Sequence, residues 1–333
     1  MTLESSVQRS PSLLDASCEV YVHELAALSP TDATAWGIPG FEGELQDFSP
    51  DYWNAVAERN RDMVADVDAF DDGTDDNDDD EDFDDVDRVT AEVLRDRVCL
   101  DLALHHQGET LRLLNNIESP VQTIRDTFLI MPNESDEDLE NIRERLSRVP
   151  DSLHGYCESL AESASQGRVA AIRQIEEVIS QCEDLAEPDS VLENLGLSEA
   201  DPVVEEAQEA FARVGAWLGE QLAPHAPHED AVGRDRYEQF SHLHVGEFVD
   251  LDEAYRWSLE QLREIDAEQQ QLATTLYGAG TTVKESLKKL NADERYLIRG
   301  TDALQEWMQD IADKAIKDLN GKYFQIPEQA NTI

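Results

Sequence analysis

Between residues 250 and 277 the apolar positions Leu251, Tyr255, Leu259, Leu262, Ile265, Leu272 and Leu276 recur at intervals of three, four or seven. That period places them on one face of an α-helix and is incompatible with a half-buried strand, which alternates every second residue. The segment opens on Asp250-Leu251-Asp252-Glu253, acidic where a helix dipole is positive, and stops at Gly278-Ala279-Gly280. Most of the chain repeats the pattern. After Ser49-Pro50 come Trp53, Val56, Met63, Val67 and Phe70, and a block at 86–114 puts Val89, Val93, Leu100, Leu104 and Leu111 on its inner face. Prolines and glycines separate further helical blocks at 12–28, 121–130, 136–147, 151–165, 171–186 and 201–222. A last helix at 301–319 is expected to bury Leu304, Trp307, Met308, Ile311, Ala315 and Leu319. Only 323–326 reads as extended. The expected fold is all-α, a multi-helix array of about a dozen helices with an acidic disordered loop and at most a short terminal strand.

Charge divides this array. The chain carries 74 acidic and 26 basic residues, a formal net charge of −48. Such a surface repels phosphate, so nucleic acid and anionic membrane are not expected partners. Residues 66–87 hold fourteen acidic residues and no basic one. Repulsion inside a Debye length of about 8 Å opposes packing there, which predicts a solvated loop. All six lysines, by contrast, lie after residue 283, and over 280–333 eight basic residues nearly balance nine acidic ones. The expected organisation is therefore N-terminal helices at 1–70, an acidic disordered loop at 71–85, a central helical body at 86–279, and charge-balanced C-terminal helices at 280–333. The last region presents a different surface, one suited to docking on more protein.

The parts of a catalytic centre are missing from the sequence pattern. Zinc-peptidase helices need two histidines four residues apart, with a glutamate after the first. His23-Glu24 is followed at the fifth position by Ala27, and His228-Glu229 by Val232. Calcium loops fare no better: started at Asp75 or Asp71, the acidic run offers Asp80 or Asp76 where a glycine belongs. No phosphate-binding glycine loop and no nucleophile elbow occurs. The weak alternative for a metal is His225, His228 and Glu229, in a proline-marked loop. His242 and His244 are two apart on a helix and point about 200° apart around its axis, and His105 and His106 read as core-edge packing. His154 and Cys157 share a helix face without a third group to orient them. The four cysteines, Cys18, Cys99, Cys157 and Cys182, form no CxxC and read as small hydrophobes within helices. With no secretory or membrane-spanning pattern, the expected location is cytoplasmic. Gly233-Arg234-Asp235-Arg236-Tyr237 is the patch best suited to fork onto a carboxylate ligand.

Several stretches resemble one family in its own order. They are Leu28-Ser29-Pro30-Thr31-Asp32-Ala33-Thr34-Ala35-Trp36-Gly37-Ile38, then Ile130-Met131-Pro132 with Asp138-Leu139-Glu140-Asn141-Ile142, then Val232-Gly233-Arg234-Asp235-Arg236-Tyr237. Leu251-Asp252-Glu253-Ala254-Tyr255-Arg256-Trp257 follows, and finally Gln305-Glu306-Trp307-Met308-Gln309 through Gly321-Lys322-Tyr323-Phe324-Gln325-Ile326-Pro327-Glu328. Together they are similar to the bacterial domain-of-unknown-function 885 family, relatives of gluzincin-type zinc metallopeptidases. The resemblance implies that this chain corresponds to the N-terminal portion of a member, with the His-Glu-x-x-His helix in a further C-terminal portion. On it, the chain is a non-catalytic helical portion forming one wall of a substrate cleft, with Arg234, Arg236 and Tyr237 facing a peptide-like ligand. Zinc is expected only with that C-terminal portion, and the expected partner is such a peptidase-like portion or a second copy of the chain. The competing expectation is an autonomous acidic helical protein-interaction module whose loop binds a cationic partner.

Overall fold

A computed structural model describes residues 9–71, 83–198 and 201–327. Among them are twelve α-helices and no β-strand. The extended segment expected at 323–326 amounts to one isolated bridge between Asn320 and Phe324. No helix among the described residues is long and apolar enough to cross a membrane. Chain contacts divide the molecule into two bodies, residues 1–248 and 249–333.

The first body holds two cores. In the smaller, α1 (Leu13–Leu28), α3 (Pro50–Asp71) and α4 (Asp85–His106) enclose Leu14, Tyr21, Met63, Val67, Ala91 and Val98, and the short α2 (Pro30–Trp36) follows α1. In α4 the expected Leu100 and Leu104 are buried, but the first half of the helix differs from the sequence expectation: Val89 and Val93 are exposed, and Ala91 and Val98 face inward. The reason lies at the helix start. Asp84 caps the first turn, and Asp87 is buried under hydrogen bonds from the Arg9 guanidinium and the Ser12 hydroxyl. Once residue 87 faces inward, 91 and 98 must follow it. The acidic run is thus partly helical, since α3 extends to Asp71 and α4 begins at Asp85. Residues 72–82 of the expected loop, on which the interaction-module alternative rests, lie outside the described residues.

The larger core is built by α5 (Pro120–Ile130), α6 (Asp136–Ser165), α7 (Ile172–Ala186) and α8 (Pro202–Trp217). Sequence punctuation splits α6 at Pro150, but the helix is continuous with Pro150 inside. A proline in a helix interior costs about 3 kcal/mol. Leu146, Val149, Leu153 and Tyr156 are all buried around it, and each contributes about 1.5–3 kcal/mol on burial, which outweighs that cost.

A second stripe of α6, Arg145, Ser152, Gly155 and Ser159, grips the backbone of residues 41–48, in the loop between α2 and α3. Buried Arg145 donates to the carbonyls of Glu44 (2.8 Å) and Phe41 (2.7 Å) and to the Thr34 hydroxyl (2.9 Å). The Ser152 and Ser159 hydroxyls donate to the carbonyls of Gln46 and Phe48 at 2.6 and 2.7 Å. At Gly155 a Cβ would stand 2.2 Å from the Asp47 carbonyl oxygen, so only glycine allows the loop this close. All four cysteines are free; Cys182 is buried, Cys18 and Cys157 half-buried, and Cys99 is exposed, against the expectation of a packed residue.

The second body contains α10 (Leu251–Tyr277), α11 (Val283–Leu290) and α12 (Thr301–Leu319). Their caps are well formed: Asp250 accepts from the amides of Asp252 and Glu253, and Thr282 and Glu285 form a reciprocal cap on α11. Their apolar faces are not covered. The only buried residue of α10 is Ala273, and α12 buries none. The expected burial of Leu304, Trp307, Met308 and Ile311 is not found; all are exposed, as are Tyr255, Leu262 and Ile265. The helical period is the expected one, but among the described residues of this body nothing covers that face.

Candidate functional site

α4 ends where the site begins. Gly108 adopts φ +80°, its amide donates to the His105 carbonyl (2.8 Å), and the Glu109 amide reaches the Leu104 carbonyl (3.0 Å). This is the glycine-dependent double bond that closes a helix C-terminus. It turns Glu109 inward, where the residue is only 6% exposed. The following loop is fixed from below: the Tyr156 hydroxyl donates to the Leu113 carbonyl at 2.8 Å, and the Asn115 side chain accepts from the amides of Ile117 and Glu118.

From the other side comes α9 (Arg234–Val245), started at Gly233 and stopped by Gly246. Arg234 and Arg236 are two residues apart, so they diverge by about 200° around the helix. Arg234 pairs with exposed Glu238 one turn on. Arg236 turns to Glu109 instead, its Nε 2.9 and 3.0 Å from the two carboxylate oxygens and its Nη2 at 2.8 Å. It also lies over the Phe240 ring, 5.4 Å from the centroid. Arg112 reaches the same carboxylate through its Nε at 2.9 Å and its Nη2. Burial pushes the Glu109 carboxyl up, but the hydrogen bonds from Arg112 and Arg236 prevail and hold it below the usual glutamate range.

Glu109, Arg112, Arg236 and Tyr237 line a concavity of about 380 Å³ whose apolar walls include Leu113, Ile117, Val169, Val232 and Phe240. That size suits a small ligand. A second concavity of about 270 Å³ shares Glu109, Leu113 and Phe240 with it and adds Trp53, Asn60 and His105. There the Trp53 indole nitrogen is buried without a hydrogen-bond partner, and burial lowers His105, which meets the Thr110 hydroxyl at 2.9 Å through Nδ1.

The sequence-derived candidates therefore separate. Arg236 and Tyr237 join one concavity, whereas Arg234 does not line it. His225, His228 and Glu229 are exposed, and no group of three or more His, Cys, Asp or Glu side chains among the described residues is arranged to hold a metal. His242 is buried against Asp96, 3.1 Å away, while His244 is exposed. Cys157 lies in a slot beside Leu153 and Trp217, where burial pushes its thiol up to about 12, so it is no thiolate nucleophile at neutral pH. Sequence reasoning missed Glu109 and Arg112. Their one visible signal was spacing: an acid and an arginine three apart, just past a helix-ending glycine.

The family described as bacterial protein of unknown function (DUF885) matches residues 30–333, and the chain belongs to it. Among curated proteins, none matches this sequence. A crystal structure of a candidate lipoprotein from Colwellia psychrerythraea is similar in fold, with a TM-score of 0.68 at 13% identity. The similarity covers 92% of this chain and 59% of that one, so the chain spans little more than half of that protein's length.

Proposed function

We propose that this chain is the non-catalytic helical portion of a zinc-metallopeptidase-like protein, and that its first body forms one wall of a substrate cleft. The observation that carries the reading is the concavity between the α4 C-terminus and α9, where two guanidiniums, a tyrosine and apolar walls converge. Arg236, Arg112 and Tyr237 bind and orient a peptide-like ligand there. The chemistry itself is assigned to a further polypeptide portion carrying the metal ligands, for which the exposed apolar faces of α10 and α12 supply a docking surface. That assignment agrees with the chain's spanning 59% of the Colwellia protein. Four unbridged cysteines fit a reducing compartment, and the cytoplasm is the compartment this reading takes.

The test is complementation. The chain is purified alone and together with the C-terminal portion of a longer family member, and zinc content and hydrolysis of a peptide library are measured in each. The reading expects both properties in the mixture and neither in the chain alone. Stoichiometric zinc and peptide cleavage by the chain alone contradict it.

A further inference from the structure

The Glu109 cluster reverses the charge balance of two other ion-pair clusters of the first body. Arg9 is met by Asp15, Asp84 and Asp87, and Arg59 by Glu24, Asp62 and Asp66. At Glu109 two arginines share one carboxylate, which leaves a net charge of about +1 at a half-buried point in a chain of net charge −48. Both arginines approach side-on through Nε and Nη2, and neither Nη1 has a hydrogen-bond partner among the described residues. A buried carboxylate fixes both guanidinium planes before any ligand arrives, so little side-chain freedom is lost on binding.

We infer that this concavity is a binding site for a monoanionic carboxylate attached to an apolar group, as at the free C-terminus of a short peptide. The carboxylate meets the Nη1 edges of Arg112 and Arg236, and the apolar group lies against Leu113, Ile117 and Phe240. Asp230 also lines the concavity, but its charge is taken up by Arg173 at 2.8 Å, so Arg112, Arg236 and Glu109 leave one net positive charge to match one negative charge. A phosphate dianion is a poorer fit, because only one of its charges is offset and the surrounding field opposes the other. Arg236, held over Phe240, keeps its plane while it shares itself between Glu109 and the ligand. That the carboxylate belongs to a peptide rests on the proposed cleft wall. Carboxylate binding itself does not, and it is measured on this chain alone, so it can fail or succeed independently of complementation.

The experiment titrates the full chain with N-acetyl-leucine, N-acetyl-leucinamide and inorganic phosphate, followed by calorimetry and by tyrosine and tryptophan fluorescence. The acid is expected to bind saturably and to weaken with salt, with the amide and phosphate each at least about tenfold weaker, the loss expected when a charge-assisted hydrogen-bond pair is removed. Arg236→Gln and Arg112→Gln are each expected to lower the affinity for the acid by about tenfold. Arg236→Lys keeps the charge and removes the fork, so it gives the same reading if the glutamine variant does not fold, as judged by its thermal melt. Equal binding of acid and amide, tighter binding of phosphate, no saturation by the acid, or unchanged affinity in a folded Arg236 variant each overturns the assignment.

Discussion

Residues 1–248 and 249–333 use the same helical period to different ends. In the first region the apolar faces of α5, α6, α7 and α8 close on one another, and Ile124, Ile142, Leu146, Ile175 and Phe211 have essentially no exposed surface. In the second, α10 and α12 carry equally regular faces, but Leu262, Ile265, Trp307 and Ile311 are each 48–63% exposed. Each such side chain forgoes about 1.5–3 kcal/mol that burial would supply. Amphipathic period thus states that a face is made to be covered; it does not state what covers it. In the first body the cover is intramolecular, and in the second the proposed C-terminal portion would supply it.

The contrast is sharpest at α6. Arg145→Ala leaves the carbonyls of Glu44 and Phe41 and the Thr34 hydroxyl without their donor, and is expected to destabilise the first body by about 3 kcal/mol or more. Urea unfolding followed by circular dichroism measures this. Gly155→Ala, which brings a methyl against the Asp47 carbonyl, is expected to cost about 1–3 kcal/mol by the same assay.

An acid titration of stability separates Glu109 from the rest. Its carboxyl titrates lower in the folded protein than in the unfolded chain, so the folded state binds fewer protons there. The resulting stability is complete above the ordinary glutamate range and is lost as pH falls through the lowered folded value. Glu109→Gln is expected to remove that part of the acid sensitivity, leaving a flatter stability profile below the glutamate range. The smallest effect belongs to the second body. Trp307→Ala, on an uncovered face, is expected to shift the unfolding free energy of the chain alone by no more than about 0.5 kcal/mol. The same substitution is expected to weaken docking of a C-terminal portion, measured by pull-down, by tenfold or more, as at a buried aromatic anchor of about 2 kcal/mol.

Much of the fold was legible because helices are local. Period, caps and breakers are written within one or two turns, and α1, α7 and α10 lie within a residue of their sequence limits. Failures came where tertiary contacts overrode local rules. Pro150 ends a helix only if its flanks can stay exposed, and a buried Asp87 sets the first turns of α4 against their own apolar pattern, exposing Val89 and Val93 while Leu100 and Leu104 stay buried. Half of the candidate site was readable. Arg236 and Tyr237 stood out as cations and aromatics do in an acidic chain, but Glu109 is one acid among 74 and lies 127 positions from its partner. No short-range pattern selects it. Arg234 is adjacent to Arg236 in sequence, but two residues of helix turn them about 200° apart, so adjacency does not put both in one site.

Hydrogen exchange on the isolated chain, read by mass spectrometry, tests the division most directly. The α6 amides are expected to be protected by several orders of magnitude, while α10 and α12 exchange far faster and become protected when the C-terminal portion is added. Protection of α10 and α12 equal to that of α6 in the chain alone would show the second body to be complete in itself, with no face left for more protein to cover.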